Sequence, residues 1–370
     1  METTNQKSFM TLKILTKIAL GMFIMMASSV LFVLFTTIAM FTMFIWIWFL
    51  PLLILLSAYI LIQKGQQILT FTRIVLKLSV FDSKLTTGEW KFIYETFMTH
   101  DSYEKVETIN YGYALLSEDG VYLDNYASNH HVLNFQLYDY SILMNAHVKD
   151  MKEKNLLELG CGRGGGLRYV INEFHPKLVT GIDISAENVK YCKDQLLKQK
   201  PKQNNSQNGQ SNNHVSNSNC IQFYQGDAQN LEDHPQLSEA QYDFVLNIES
   251  SHCYDDITKF FESVKYVMKD DGTFIFADFR SLNEQEELKI IINKHFDVIK
   301  VEDIRRNVFR SLQIQNSMKQ ELIYSQAPWY LGQYLRNYMG MEGTDIYRDF
   351  ERGSKSYFVY TLRKKSVKQK

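Results

Sequence analysis

Between Lys17 and Lys64 this chain has no charged residue. A buried helix pair of a soluble protein fits that gap poorly, because such helices usually keep a polar face. Residues 18–63 drawn as one helix would be about 69 Å long, over twice the ~30 Å hydrocarbon core of a bilayer. The expectation is therefore two transmembrane helices, 18–38 and 43–63, with a tight turn around Ala39–Thr42. No small-residue cleavage site stands out, and the stretch is too long for a signal peptide followed by one anchor. Cysteine is scarce as well. The four cysteines, Cys161, Cys192, Cys220 and Cys253, have no zinc-like spacing, and Cys161 sits inside a glycine run where a disulfide would obstruct a ligand. A disulfide framework is excluded, and free thiols in a reducing compartment are expected. Net charge is only −1, which argues against a nucleic-acid-binding surface. His130-His131 has no acid or cysteine at metal-ligand spacing, so it reads as a solvated turn and no metal is expected.

Basic residues flank the uncharged gap on both sides: Lys7, Lys13 and Lys17 before it, Lys64, Arg73 and Lys77 after it. Positive charge on both sides of a two-span hairpin puts both ends in the cytosol. Residues 1–17 are then a cytosolic tail. Residues 64–84 form an interfacial helix or an extension of the second span, or alternatively a helix packed on the enzyme core. The whole reads as an integral membrane protein of the endoplasmic reticulum or another endomembrane, with its larger part cytosolic.

That larger part can bury one sizeable core. Residues 85–150 are rich in aromatics, among them Trp90, Tyr94, Tyr111, Tyr113 and Tyr138, and read as a helical cap able to line an apolar pocket. From residue 151 to 370, apolar runs alternate with helical patterns. Strands are expected at Asn155–Leu159, Leu178–Asp183, Ile221–Gln225, Phe244–Ile248, Thr273–Ala277, Phe296–Asp303 and Ser356–Leu362, and helices near 165–174, 186–199 and 257–268, the last capped by Asp255-Asp256. This is a doubly wound α/β sheet. Residues 198–219 are polar and low in complexity and are expected to be a disordered insert before the third strand, with the sequon at Asn204 unmodified.

The first strand runs into Gly160-Cys161-Gly162-Arg163-Gly164-Gly165-Gly166, and an acid, Asp183, ends the second. Glycines permit a sharp turn and a close ligand approach, and a carboxylate at the second strand tip can accept from ribose hydroxyls. The glycines are preceded by Glu158, and no P-loop Lys-Ser/Thr follows. That order favours S-adenosylmethionine over a dinucleotide, since no pyrophosphate needs cradling. Asp227 and Glu249 end the third and fourth strands and should share the ligand crevice.

From about Tyr111 onward the chain resembles the class I S-adenosylmethionine-dependent methyltransferases. It is most similar to lipid and polyketide O-methyltransferases of the phthiotriolone dimycocerosate methyltransferase type. The resemblance is carried by Glu158-Leu159-Gly160-Cys161-Gly162-Arg163-Gly164-Gly165-Gly166, Asn247-Ile248-Glu249-Ser250-Ser251-His252-Cys253-Tyr254 and Ala277-Asp278-Phe279-Arg280, with Asn110-Tyr111-Gly112-Tyr113 and Gln136-Leu137-Tyr138-Asp139 ahead of them. It implies a seven-stranded Rossmann-like sheet whose last strand is antiparallel. Gly160, Gly162 and Gly164 are then expected beside the methionine portion of the cofactor, Glu158 at its amino group and Asp183 at the ribose. Asp227 with Ala228 would border the adenine edge, unless Asp227 serves as a cap. Cys161, Ile184 and Asn247 complete the expected cofactor contacts.

On the acceptor side His252 is the leading candidate for a base, because imidazole titrates near working pH and general-base help is worth ~10²–10⁴-fold. A structural histidine is the alternative. Glu249 is a second base candidate or a partner for His252. Tyr254 and Asp278 border the acceptor pocket or only stiffen its loops, and Tyr111 and Tyr113 either close over the cofactor or simply pack. The expected function is methyl transfer from S-adenosylmethionine to a lipid-like small molecule, at a hydroxyl oxygen. Alternatives are an N-methyltransferase of phosphoethanolamine or phospholipid headgroups, a sterol C-methyltransferase, and an inactive methyltransferase-fold subunit of a membrane assembly.

Overall fold

The computed structural model describes residues 2–77, 84–97, 106–196, 221–237, 242–326 and 332–365. The insert at 198–219, with Asn204 and its sequon, lies outside the described residues, as do residues 78–83 of the expected juxtamembrane segment. Two compact units divide the chain, residues 1–82 and 83–370.

The first unit is one helix, α1, from Glu2 to Leu76, 75 residues long. This corrects the two-span expectation, since no turn interrupts 39–42. Ala39-Met40-Phe41-Thr42 offers no glycine, proline or asparagine to start a turn, and Thr42 Oγ1 donates to the Ala39 carbonyl at 2.9 Å within the helix. Other hydroxyls are satisfied in the same way. Ser28 and Ser29 donate to Met25 O, and Thr37 donates to Val33 O. Between Leu15 and Ile62 the helix exposes its large apolar side chains, while these hydroxyls bond to carbonyls of the helix itself, as a hydrocarbon surrounding would require. Residues Leu15–Leu76 are long and apolar enough to cross a membrane.

The second unit carries strands of 5 to 14 residues between helices. In chain order these are α2 (Thr87–Phe97), α3 (Val132–Asp139), β1 (Asn155–Leu159), α4 (Gly165–Phe174), β2 (Leu178–Asp183), α5 (Ala186–Leu196), β3 (Ile221–Gln225), β4 (Tyr242–Ile248), α6 (Ile257–Val267), β5 (Met268–Ser281), α7 (Leu282–His295), β6 (Phe296–Asp303), α8 (Arg305–Gln326), α9 (Gly332–Tyr338), α10 (Asp345–Arg352) and β7 (Lys355–Lys364). The seven strands are ordered β3-β2-β1-β4-β5-β7-β6, and β7 runs antiparallel to both neighbours. Strand order reverses between β1 and β4, the place where an open α/β sheet binds its ligand. One face of the sheet packs Phe135, Leu167, Val308 and Phe350 from α3, α4, α8 and α10. The other packs Phe260, Phe261 and Ile292 from α6 and α7. Asp256 caps α6 by accepting from Lys259 N, and Ser281 with Glu284 forms a capping box on α7.

Three differences from the sequence reading matter for the site. The cap is only partly helical: residues 106–123 run without a helix, turning at Gly112 and Gly120, whose φ values of 76° and 69° suit glycine. β5 continues past Ala277 to Ser281, because Asp278–Ser281 pairs antiparallel with β7 although β4 has ended. Helices α8 to α10 fill the stretch between β6 and β7, for which no element was expected.

Candidate active site

The turn after β1 is pinned to β2. Both Gly160 N and Cys161 N donate to the Ile182 carbonyl, at 2.8 and 3.0 Å. Gly160 has φ 72°, and a Cβ there would collide with the Ser250 side chain. Gly162 has φ 53°, but a Cβ would meet no protein atom within 4 Å. Its requirement is a left-handed backbone with open space beside it, rather than a clash with the protein. Gly162 N donates to Asp183 Oδ2 at 2.9 Å, while Asp183 Oδ1 accepts from Ser185 N and Asn188 Nδ2 at 2.9 and 3.1 Å. Burial raises Asp183 and these bonds work against it. A carboxylate keeps about four acceptor sites, so room remains for a ligand hydroxyl.

Glu158 points into the protein. Tyr138 donates its hydroxyl to Glu158 Oε1 at 2.6 Å, and Oε2 has no partner. Burial pushes this carboxyl up to about 8, against the Tyr138 bond and with the help of Asp183. Asn247 is buried too. Its amide donates to Leu159 O at 2.8 Å and to the Tyr254 hydroxyl at 3.1 Å, tying the glycine turn to the loop after β4. Asp227 accepts from Gln229 N, Gln229 Nε2 and Asn230 Nδ2, and so caps its turn while it also faces the cavity.

A cleft of about 1040 Å³, open solvent at its mouth included, lies over these strand tips. Of the expected cofactor residues, Gly160, Cys161, Gly162, Asp183, Ile184, Asp227 and Ala228 line it. Glu158, Gly164 and Asn247 stand behind the lining. Of the expected acceptor residues, Tyr111, Glu249, His252 and Tyr254 line it. Tyr113 instead stacks on Tyr140 at 4.2 Å, and Asp278 lies behind His252.

Glu249 directly follows β4 with a left-handed backbone, φ 53°, rare for a residue with a side chain. Its two carboxylate oxygens both accept from Tyr111 N, at 3.0 and 2.9 Å, and Tyr357 donates its hydroxyl at 3.0 Å. Burial pushes Glu249 up to about 8, opposed by the Tyr111 bond and by His252. On the neighbouring strand β5, Asp278 accepts from His252 N and His252 Nδ1, each at 2.9 Å, and from Ser251 Oγ at 2.6 Å. Arg280 stands 3.2 Å from the same carboxylate. Burial would raise Asp278, but Arg280 and His252 outweigh it and hold it well below the usual carboxylate range. For His252 burial opposes the charged ring, yet Cys253 and Asp278 overcome that and push it up to about 10.

The roof was partly legible and partly missed. Trp90 and Tyr94 come from α2, and Thr87 at its start is locked to the loop after β4 through the Cys253 carbonyl and Asp255. Tyr338 arrives from α9, its hydroxyl 2.6 Å from that of Tyr94 and its carbonyl accepting from the Tyr111 hydroxyl at 2.9 Å. The missed signal is the i, i+4 pair Tyr334 and Tyr338, an aromatic stripe on one helix face. His131, read as solvated, accepts from Glu107 N and lies 3.3 Å from Thr108 Oγ1, so it steadies a non-helical segment of the cavity wall. Cys161, Cys192 and Cys253 are free and buried.

Residues 157–276 match a family described as "Methyltransferase domain". The phthiotriol/phenolphthiotriol dimycocerosates methyltransferase of Mycobacterium leprae is 28% identical over 216 residues, 58% of this chain and 71% of that protein. The probable phthiotriol/phenolphthiotriol dimycocerosates methyltransferase 2 of Mycobacterium ulcerans is 30% identical over 196 residues, 53% of this chain and 67% of that protein. The fatty-acid O-methyltransferase of Mycolicibacterium smegmatis is 25% identical over 256 residues, 69% of this chain and 83% of that protein. Among solved structures, StiE O-MT superposes with a TM-score of 0.53 at 17% identity, covering 74% of this chain and 92% of that one. A geranyl diphosphate C-methyltransferase from Streptomyces coelicolor A3(2), in complex with S-adenosyl-L-homocysteine, gives 0.51 at 12% identity, covering 76% and 100%. These structural likenesses concern the fold.

Proposed function

This chain belongs to the class I S-adenosylmethionine-dependent methyltransferases, and from that premise we propose that it is a membrane-anchored enzyme that methylates an oxygen of a lipid-like molecule. The cofactor supplies an electrophilic methyl group on a sulfonium. The chain's residues suit it. Gly162 leaves open space where the ligand must approach, Asp183 offers a carboxylate at the cavity edge, and Glu158 keeps one buried oxygen without a partner beside the glycine turn. In the proposal Asp183 holds the ribose, the turn 160–164 flanks the methionine portion, and Asp227 with Ala228 borders the adenine. Alignment in a dry cleft is then the main catalytic contribution, worth on the order of 7–11 kcal/mol for well-oriented pairs.

The observation that carries the lipid reading is the roof: Trp90, Tyr94, Tyr111 and Tyr338 cover the acceptor end with aromatic surface. The names of the relatives support it, since they carry phthiotriol/phenolphthiotriol dimycocerosates and fatty acids. Among the described lining residues the lysines and arginines reduce to Arg163, which lies 3.8 Å over the Tyr191 ring. A phosphorylated headgroup would want a cluster of such cations, which weighs against the N-methyl alternative. The anchor is α1, and an endomembrane such as the endoplasmic reticulum with the catalytic unit in the cytosol agrees with the buried free thiols. Lipid extracts of cells with the wild-type chain, with Gly162→Val and without the chain are the test. A lipid species heavier by one methyl group is expected only with the wild type. Identical extracts from all three would refute the proposal.

A further inference from the structure

The wall around His252 bears on which oxygen is methylated. An alcohol must give up its proton to a base, whereas a carboxylate arrives without one. Neither titratable side chain on this wall is poised to take an alcohol's proton at pH 7, because burial leaves Glu249 largely protonated and Asp278 holds the His252 ring charged. Both oxygens of Glu249 are committed to Tyr111 N, and one of them also to the Tyr357 hydroxyl. His252 gives its Nδ1 side to Asp278, which also meets Arg280, Ser251 and the backbone N–H groups of His252 and Phe279. So many donors keep Asp278 ionised, and an ionised aspartate on Nδ1–H stabilises the imidazolium. Within this group Arg280 already balances Asp278. The charge of His252 is left over, and 18% of its side chain is exposed, on the cavity wall.

Resting on the oxygen-methylation reading above, we propose that the acceptor is the carboxylate of a long-chain fatty acid, held by the imidazolium of His252 and converted to its methyl ester. Asp278 and Arg280 act as positioning residues, fixing the ring so that Nε2–H faces the acceptor. As the carboxylate oxygen bonds to the methyl carbon, the sulfur–methyl bond breaks and its electron pair stays on sulfur. An anion and a cation become two neutral products and no proton moves. The charged groups facing His252 agree with this. Asp278 favours the charged ring, as does Cys253 beside it, and Glu249, raised to about 8, is largely neutral at pH 7 and does not repel a carboxylate. The aromatic roof receives the chain of the acid.

The test uses the full chain in lipid nanodiscs with S-adenosylmethionine, and palmitate or hexadecanol as probe. The expected product is the methyl ester of palmitate, with little or no hexadecyl methyl ether. Ether formed as fast as ester would overturn the inference, and so would absence of ester while cellular lipid extract is still methylated. If the extract is not methylated either, the oxygen-methylation reading fails with it. As pH rises through about 10, kcat/KM for palmitate should fall as the imidazolium loses its proton. A rise over that range would mark His252 as a base and overturn the inference. His252→Gln should raise KM for palmitate about tenfold to a hundredfold with a smaller change in kcat, while S-adenosylhomocysteine affinity, read by calorimetry, stays the same. An unchanged KM in that variant contradicts the anchor. The wild-type selectivity and pH profile decide the matter even if the variant does not fold.

Discussion

Glu158 shows how one buried side chain couples stability to binding. Its carboxyl is raised from the ordinary 4.5 to about 8, so it is more easily protonated in the folded chain than in the unfolded one. Its stabilising contribution is complete below about pH 4.5 and is lost as pH rises through about 8. Glu158→Gln keeps an acceptor for Tyr138 without the charge. At pH 8 this variant should be more stable than the wild type by on the order of 1–3 kcal/mol, and its melting temperature should fall less between pH 5 and pH 8. It should also bind S-adenosylmethionine more weakly, if Glu158 answers the cofactor's amino group. Thermal melts across that pH range check the first part, and parallel slopes for both proteins would contradict it. At this scale the sequence was readable where function is local. Gly160, Gly162 and Asp183 report a strand, a turn and the next strand tip, and Gly162 N does bond to Asp183. Pairings across the chain were not readable. Nothing in the order of residues says that Glu249 would receive Tyr111 N, 138 positions away, or that Asp278 would hold His252.

Elements were most legible where an apolar run is bounded by turn residues. Leu178–Asp183 and Phe296–Asp303 lie where their patterns put them. β5 runs longer than its apolar run because pairing with β7, not composition, keeps Asp278–Ser281 extended. The helices between β6 and β7 have few apolar residues per turn, so periodicity barely marks them, yet they deliver Tyr338 to the roof. α1 shows the limit of a thickness argument. Length and the absence of charge identify an apolar helix, but they do not create a turn at 39–42 where no residue favours one. For the anchor role, the full chain should stay in the membrane pellet through alkaline carbonate extraction, and a chain lacking residues 1–77 should be released. Protease added to sealed microsomes should digest the catalytic unit. Full-length chain in the carbonate supernatant would contradict anchoring, and a protected catalytic unit would contradict the cytosolic orientation.

At the scale of the whole molecule, the sheet order β3-β2-β1-β4-β5-β7-β6 places a cleft where β1 and β4 diverge. Residues from distant parts of the chain converge there. Thr87 and Trp90 come from the cap, Asp183 and Asp227 from one half of the sheet, Glu249 and His252 from the other, and Tyr338 from the last helical stretch. The central claim is that this cleft, at the glycine turn, is where the cofactor binds and the methyl group is transferred. Calorimetric titration of the full chain with S-adenosylhomocysteine, wild type beside Gly162→Val, tests it most directly. Valine at a φ of 53° is strained, and its side chain would enter the open space beside the turn. The expected result is one site per chain in the wild type and loss of binding in Gly162→Val, with the folded variant confirmed by its circular dichroism. Equal affinity in the two proteins would contradict the claim.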